Sequence, residues 1–517
     1  MFKDKILHFI SKEWLLILVI LILATGTRFY YFGRPNQIVF DEVYFPKFAT
    51  DYFKGEYYFD IHPPLAKLLM AGSAKLFGIN LPVSFDFSNI SKVYPDNSYK
   101  FLRFFVSIFG LALIFGVYFL AKELFKNKWP AFLAALLAIF ENSILVQSRL
   151  ILTDVFLLAF GVWGLVFLLM SRRKKIYSFS WFLFFILSIL FLTAGFLVKW
   201  TALVFIGVAA LIILINAFQN KPDPASRTQG IRAGFLQEES APPTYLIQLP
   251  FIPAASRGVL RASNKKWKEF FVQAAIFLIV SFLFYFAIFA IHLKSLPYSG
   301  GGDAYMSQRF QRTLIGNQNY NNPQIKPLNL FGKFIELNEV MFSANAGLKA
   351  THSYGSKWYS WPVLYRPIYY WYGKTGCENC GTLKESRIYL LGNPFIWWLG
   401  GLIIIYWIFW LLGQFFKKRK NSDFVSVALI VAGYLGNLLP YVFVSRVSFL
   451  YHYFPSLLFL IIALGFFLWK YFKNYPTLIL LVLFIVFVTF VFFAPLSYGS
   501  PLTGAEYKSR VWFPTWQ

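Results

Sequence analysis

The sequence has 517 residues, of which 58% are hydrophobic, 21% aromatic and 14% charged. Soluble chains carry about 25% charged residues, and 63 Phe, 31 Tyr and 16 Trp exceed what one soluble core of this length buries, which excludes an ordinary soluble enzyme, a collagen-like chain and a disordered chain. The net charge of +26, from 49 Lys+Arg against 23 Asp+Glu, fits basic loops at the cytoplasmic ends of membrane spans better than a nucleic-acid surface.

A helix crosses a bilayer in about 20 apolar residues. In chain order the runs that qualify are 14–32, 102–121, 130–147, 151–170, 177–197, 199–218, 270–292, 395–416, 424–444, 449–469 and 475–494, about eleven spans. The first run ends in Arg28 and aromatics without a small-residue cleavage site, so it reads as an anchor and not a signal peptide. Alternate loops carry the basic clusters: Lys3, Lys5 and Lys12; Lys122, Lys126 and Lys128; Arg172, Arg173, Lys174 and Lys175; Lys417, Lys418, Arg419 and Lys420; Lys470 and Lys473. The intervening short loops offer little beyond Arg149 and Arg446. This asymmetry predicts a cytoplasmic N-terminus and an extracytoplasmic C-terminus.

Two long segments, 33–100 and 293–394, then face outward; both are rich in Tyr, Trp and Pro, and 65–78 reads as an amphipathic interfacial stretch. The Pro-, Ser- and Arg-containing stretch 219–268 reads as a flexible cytoplasmic insertion. The expected organisation is an N-terminal membrane module over 1–218 with the catalytic loop, the insertion, and a C-terminal module over 269–517. No internal repeat of fixed period is evident, which weighs against an inverted-repeat transporter.

Charges placed against the membrane are the informative exceptions. Asp41 and Glu42, just outside the first span, offer a general base or a metal ligand, against the plainer reading of a solvated acidic pair. His62 is presented by Pro63 and Pro64, although a lone His is more often structural. Arg149, near Asp154 at the outer mouth between the third and fourth spans, has a forked donor set suited to phosphate oxygens; the alternative is an interfacial anchor paired to Asp154. Lys199 lies on the same side, between two apolar runs. Glu141, inside the third run, reads as a structural or site-supporting group. One base and two cations suffice to move a sugar from a polyprenyl phosphate to a hydroxyl, because a phosphate leaving group needs charge stabilisation and not a proton. Cys377 and Cys380, the two cysteines, leave a small disulfide loop, free thiols or half a metal site open.

Several of these patches resemble the protein O-mannosyltransferase family, in order along nearly the whole chain outside 219–268. They are Val39-Phe40-Asp41-Glu42, His62-Pro63-Pro64-Leu65-Ala66-Lys67, Ser148-Arg149-Leu150 with Thr153-Asp154, and Lys199-Trp200. Further on come Gly301-Gly302-Asp303-Ala304-Tyr305-Met306, Asn345-Ala346-Gly347-Leu348, Thr351-His352-Ser353-Tyr354, Ser356 to Pro362, Leu391-Gly392-Asn393-Pro394, Arg446 and Tyr451-His452-Tyr453-Phe454-Pro455. The resemblance implies an all-α polytopic GT-C fold and an inverting transfer of mannose from polyprenyl-phosphate-mannose to Ser/Thr hydroxyls of exported proteins at the outer face of the plasma membrane. It implies that Asp41 is the base with Glu42 supporting it, that Arg149 and Lys199 hold the donor phosphate, that His62 and Asp154 shape the site, and that His352 and Trp361 belong to the segment covering it. No cofactor or resident metal is expected beyond the lipid-linked donor, although a divalent ion at the acidic pair stays open. Ser353 stands where the family usually has Pro, and the second outer segment has no room for the β-trefoil of eukaryotic members, which implies a compact bacterial type. A transferase acting on a lipid or glycan, and a transporter of lipid-linked sugar, are the competing readings.

Overall fold

The computed structural model describes residues 12–218, 255–347, 351–375, 384–417 and 421–517. Residues 219–254 of the expected insertion and the Cys377/Cys380 pair lie outside the described residues; from Ala255 onward the chain is helical.

Each of the eleven apolar runs contains a helix. They are α1 (Glu13–Phe29), α4 (Ser98–Phe125), α5 (Lys128–Ile139), α7 (Asp154–Ser171), α8 (Phe179–Phe196), α9 (Leu203–Phe218), α10 (Ala255–Ser295), α12 (Pro394–Phe416), α13 (Phe424–Leu438), α14 (Phe454–Phe472) and α15 (Pro476–Tyr498). Between them lie α2 (Phe45–Lys54), α3 (Leu65–Leu76), α6 (Asn142–Gln147) and α11 (Leu330–Ala346). Among the described residues, 8 helices are long and apolar enough to cross a membrane. The chain is a polytopic, mostly helical membrane protein.

The third run departs from the expected single span. It breaks at Glu141 into α5, of 12 residues, and α6, of 6; at 1.5 Å per residue α5 is only about 18 Å long. Glu141 is fully buried. Its carboxylate accepts from the Ile144 N–H at 2.6 Å and the Ser143 hydroxyl at 2.8 Å, which caps α6. It also accepts from the Asn393 N–H and the Trp397 indole, both at 2.9 Å. The charge that looked anomalous in an apolar run thus fastens α6 to the start of α12, with its acceptor sites filled as a buried carboxylate requires.

By compactness the chain forms two units: residues 209–279, which comprise the end of α9 and the first part of α10, and the remainder. In the larger unit α14 is central. It packs on α5, α12 and α13, and 89% of its apolar window is buried against 22% for α15. Close approach to α5 depends on Gly465, where a Cβ would come within 2.8 Å of the Ala134 backbone nitrogen.

The two long inter-span segments meet backbone to backbone. Tyr57 N–H donates to the Tyr298 carbonyl at 2.9 Å and Gly302 N–H to the Tyr57 carbonyl at 3.1 Å. A Cβ at Gly302 would sit 2.4 Å from the Tyr58 carbonyl carbon, so only glycine fits this crossing. The 65–78 stretch forms α3 and leaves Leu76 and Phe77 exposed at its end. Further along, β1 (Ile368–Thr375) pairs antiparallel with β2 (Lys384–Leu390), and β3 (Pro501–Leu502) joins the other edge of β2.

Gly465→Leu should lower the thermal midpoint in detergent, in line with an overpacking cost of about 1–3 kcal/mol. Gly401→Leu, at a position where a Cβ meets nothing within 4 Å, should leave it unchanged.

Candidate active site

Asp41 and Glu42 sit in a 3-10 turn, Phe40–Val43, where the first long segment leaves α1. Phe40 has φ +49°, the left-handed region that bulky residues rarely enter. The two carboxylates part company there. Glu42 is fully buried and takes a forked pair of bonds from Arg103 on α4, Nε to Oε1 at 2.9 Å and Nη2 to Oε2 at 2.6 Å. It also accepts from the Ile151 N–H at 2.8 Å, the Val39 N–H at 3.0 Å and the Tyr94 hydroxyl at 3.2 Å. Its acceptor sites are committed, so Glu42 holds the turn that carries Asp41.

Asp41 is half-buried, and its carboxylate takes no protein hydrogen bond among the described residues. Burial pushes its carboxyl up to about 7; Lys199 opposes the rise, and Asp154 and Asp60 add to it. A carboxyl titrating there is suited to proton abstraction near neutral pH.

Lys199 donates to Asp154 Oδ1 at 2.8 Å, so Asp154 pairs with Lys199 and not with Arg149. Both line a cavity of about 150 Å³ together with His62, Asn345, Arg446, Tyr451 and Trp200. Arg446 is half-buried and donates to Asn345 Oδ1 at 2.5 Å, with no carboxylate partner among the described residues. Asn345 in turn donates to the Ile61 carbonyl at 2.7 Å, joining the two long segments to the loop before α14. Burial, and after it the cations Lys199, Lys67 and Arg446, hold the His62 imidazole well below its usual value. His62 is therefore a neutral wall of the cavity. Its loop is fixed by Lys67, which pairs with Asp60 and donates to the His62 carbonyl at 2.8 Å.

A second cavity, of about 320 Å³, shares Arg446 and Val447 with the first. His352 lines it, with Ser356, Lys357 and Trp358. Trp361 lines neither: it is fully buried, with its indole donating to Ser356 Oγ at 2.9 Å and its ring stacked 6.0 Å from His452.

Arg149, expected at the donor phosphate, is held against backbone carbonyls in this structure. Arg149 lines neither cavity, and nor does Asp41. Its guanidinium donates to the carbonyls of Arg28 at 2.9 Å and Tyr31 at 3.0 Å, and to that of Tyr30, and lies 4.4 Å over the Tyr498 ring. These are carbonyls at the end of α1, where a cation meets the negative end of the helix dipole. Arg28 returns the arrangement, donating to the Ile139 carbonyl at the end of α5 at 3.3 Å. The cation that sequence reasoning undervalued is Arg446, noted only as a landmark; its signal was its presence, with Arg149, in an otherwise uncharged set of loops.

Two family profiles cover this architecture. Residues 18–297 match that of the dolichyl-phosphate-mannose-protein mannosyltransferases, and residues 330–516 match the C-terminal four-helix membrane region of protein O-mannosyltransferases. The chain belongs to the protein O-mannosyltransferase family. Protein O-mannosyltransferase 1 of Drosophila melanogaster is 29% identical over 59% of this chain and 30% of its own length. Dolichyl-phosphate-mannose–protein mannosyltransferase 1 of Saccharomyces cerevisiae is 24% identical over 98% of this chain and 83% of its own. The chain spans about a third of the length of several of the curated relatives it matches. Its fold is shared with the S. cerevisiae Pmt1–Pmt2 complex bound to the sugar donor, at a TM-score of 0.80 and 20% identity over 98% of this chain and 93% of that one. The protein O-mannosyltransferase fold seen here is thus the expected GT-C architecture.

Glu42→Ala, which strands Arg103 in the interior, should cost about 3–5 kcal/mol, read as a large fall in the detergent thermal midpoint. Arg149→Lys loses the fork over the α1 carbonyls and should also lower that midpoint, while the KM for a lipid-linked sugar donor stays within about twofold. A large rise in donor KM would return Arg149 to the phosphate.

Proposed function

We propose that this chain is an inverting protein O-mannosyltransferase that moves one mannose from polyprenyl-phosphate-mannose to Ser/Thr hydroxyls of exported proteins, working at the outer face of the plasma membrane. The observation that carries the reading is Asp41: a half-buried carboxylate without protein hydrogen bonds among the described residues, pushed up to about 7, within electrostatic reach of the Lys199–Asp154 pair. Family membership supports the sugar and the acceptor class.

In this mechanism Asp41 accepts the proton of the acceptor hydroxyl as its oxygen attacks the anomeric carbon. The bond from that carbon to the phosphate oxygen breaks, and its electron pair leaves on the polyprenyl phosphate. One in-line displacement inverts the anomeric centre and needs no covalent intermediate on the protein. Lys199 and Arg446, the cations of the smaller cavity, meet the charge that grows on the leaving phosphate. Asp154 holds Lys199 in place. Neutral His62 bounds the cavity without adding a third positive charge. The larger cavity beyond Arg446 suits the acceptor chain, with His352 on its wall.

With labelled polyprenyl-phosphate-mannose and a Ser/Thr-rich peptide, Asp41→Asn should lower labelling by about 10²–10⁴-fold. Lys199→Gln and Arg446→Gln should each raise donor KM by about tenfold or more, the range for a lost charged hydrogen bond. Undiminished labelling by Asp41→Asn would sink the reading. Because a base must be deprotonated to act, kcat/KM should rise about tenfold per pH unit up to the Asp41 value near 7 and level off above it. A flat profile between pH 5 and about 8 would remove Asp41 from that role.

A further inference from the structure

Strand β1 runs along the segment that carries Asp41, and three consecutive β1 residues touch it. The Trp371 indole donates to Gln37 Oε1 at 2.8 Å. The Tyr372 carbonyl accepts from the Ser91 hydroxyl at 3.3 Å. Between them, the Tyr370 ring stacks on Phe40 with centroids 4.0 Å apart and planes 7° from parallel.

Tyr370 is not on the regular ladder. The pairing passes from Tyr369↔Tyr389 to Trp371↔Ile388, which leaves Tyr370 as the extra residue of a bulge. Bulges re-aim a side chain, and here the redirected ring meets the residue before Asp41. Its hydroxyl accepts from Gln147 Nε2 on α6 at 3.0 Å, and both residues are buried. The ring is therefore held from two sides, by the hairpin and by α6.

Phe40 needs such a partner. At φ +49° it occupies a conformation that survives in a bulky residue only when the surroundings impose it. Relaxation of Phe40 toward negative φ would rotate the following peptide and carry the Asp41 side chain with it. From this geometry we infer that Tyr370 is a positioning residue for the catalytic base, acting through the stacked Phe40 ring; the inference rests on Asp41 being that base.

A second consequence of the stack is exclusion of water. The groups that act on Asp41 are Lys199, Asp154 and Asp60, and the phenols of Tyr370 and Tyr451 feel its charge. Removing the Tyr370 ring leaves those charges in place and admits solvent, which favours the ionised carboxylate.

The test compares Tyr370→Leu, Phe40→Leu and Tyr370→Phe in peptide mannosylation across pH. The two leucine variants should each lower kcat by about tenfold or more, the scale of a misplaced reacting group. Acceptor KM should stay within about twofold, since no acceptor contact is removed. The acid limb of kcat/KM should move to lower pH in both. Tyr370→Phe keeps the ring pair and should retain kcat within about threefold. The double leucine variant should cost little more than the worse single one, because both act through one contact. A merely structural role would lower the thermal midpoint and leave the acid limb of the folded fraction in place. Unchanged kcat and acid limb in either leucine variant overturns the inference. If Tyr370→Leu does not fold, Phe40→Leu decides, since it breaks the same stack without touching the hairpin. Asp41→Asn, run alongside, separates the two levels. Activity retained there defeats the base assignment, whereas a dead Asp41→Asn with a normal Phe40→Leu defeats the positioning role alone.

Discussion

The fork between Glu42 and Arg103 is the constraint on which the rest of the site depends. Both groups are withdrawn from water, at a desolvation cost of several kcal/mol per ion that only complete hydrogen bonding offsets. The five donors that fill Glu42 come from four places: Arg103 on α4, Tyr94 just before it, Val39 at the exit from α1 and Ile151 before α7. Arg103 adds the carbonyls of Pro35 and Gln37. One ion pair thereby ties α4, the residue Ile151 ahead of α7, and the loop and turn that bear Asp41. With Glu42 immobilised, its neighbour can be left unpaired without the turn collapsing around it.

The same rule organises the other charges set among apolar helices. Glu141 is met by donors from its own turn and from the start of α12. Arg28 and Arg149 each cover the carbonyls that end the other's neighbouring helix. Glu141 has both carboxylate oxygens filled, and the two guanidinia spend most of their donors on backbone carbonyls. Among the described residues the Asp41 carboxylate takes no hydrogen bond, Arg446 has no carboxylate partner, and Lys199 is paired with Asp154 at the cavity wall. In a membrane protein, counting filled hydrogen bonds separates architecture from chemistry more sharply than counting charges does.

Much of the fold was legible in the sequence, because apolar run length is a direct consequence of bilayer thickness. All eleven runs hold helices. The break at Glu141 was not, since the donors that make it tolerable, Asn393 and Trp397, lie about 250 residues away in the chain. At the site, Asp41, Asp154 and Lys199 stood out by residue type and order, but the Lys199–Asp154 pair did not, since 45 residues separate its members. By residue chemistry alone Asp41 and Glu42 were alike, and only the family resemblance told them apart; in the structure the 3-10 turn sends Glu42 to Arg103. Arg149 misled for a physical reason: a guanidinium fork fits helix-terminal carbonyls as well as phosphate oxygens, and which it meets depends on the neighbouring helix end. Arg446 was a lone cation in a short loop, and its anchor Asn345 is 101 residues distant.

The wall shared by the two cavities is thin. Arg446 and Val447 border both chambers, so the guanidinium is a common electrode whose field reaches each side. An anion seated in the smaller chamber neutralises it and changes the potential felt by whatever occupies the larger one, and thermodynamic linkage makes the influence mutual. Occupants of the two chambers are thus in electrical communication without touching.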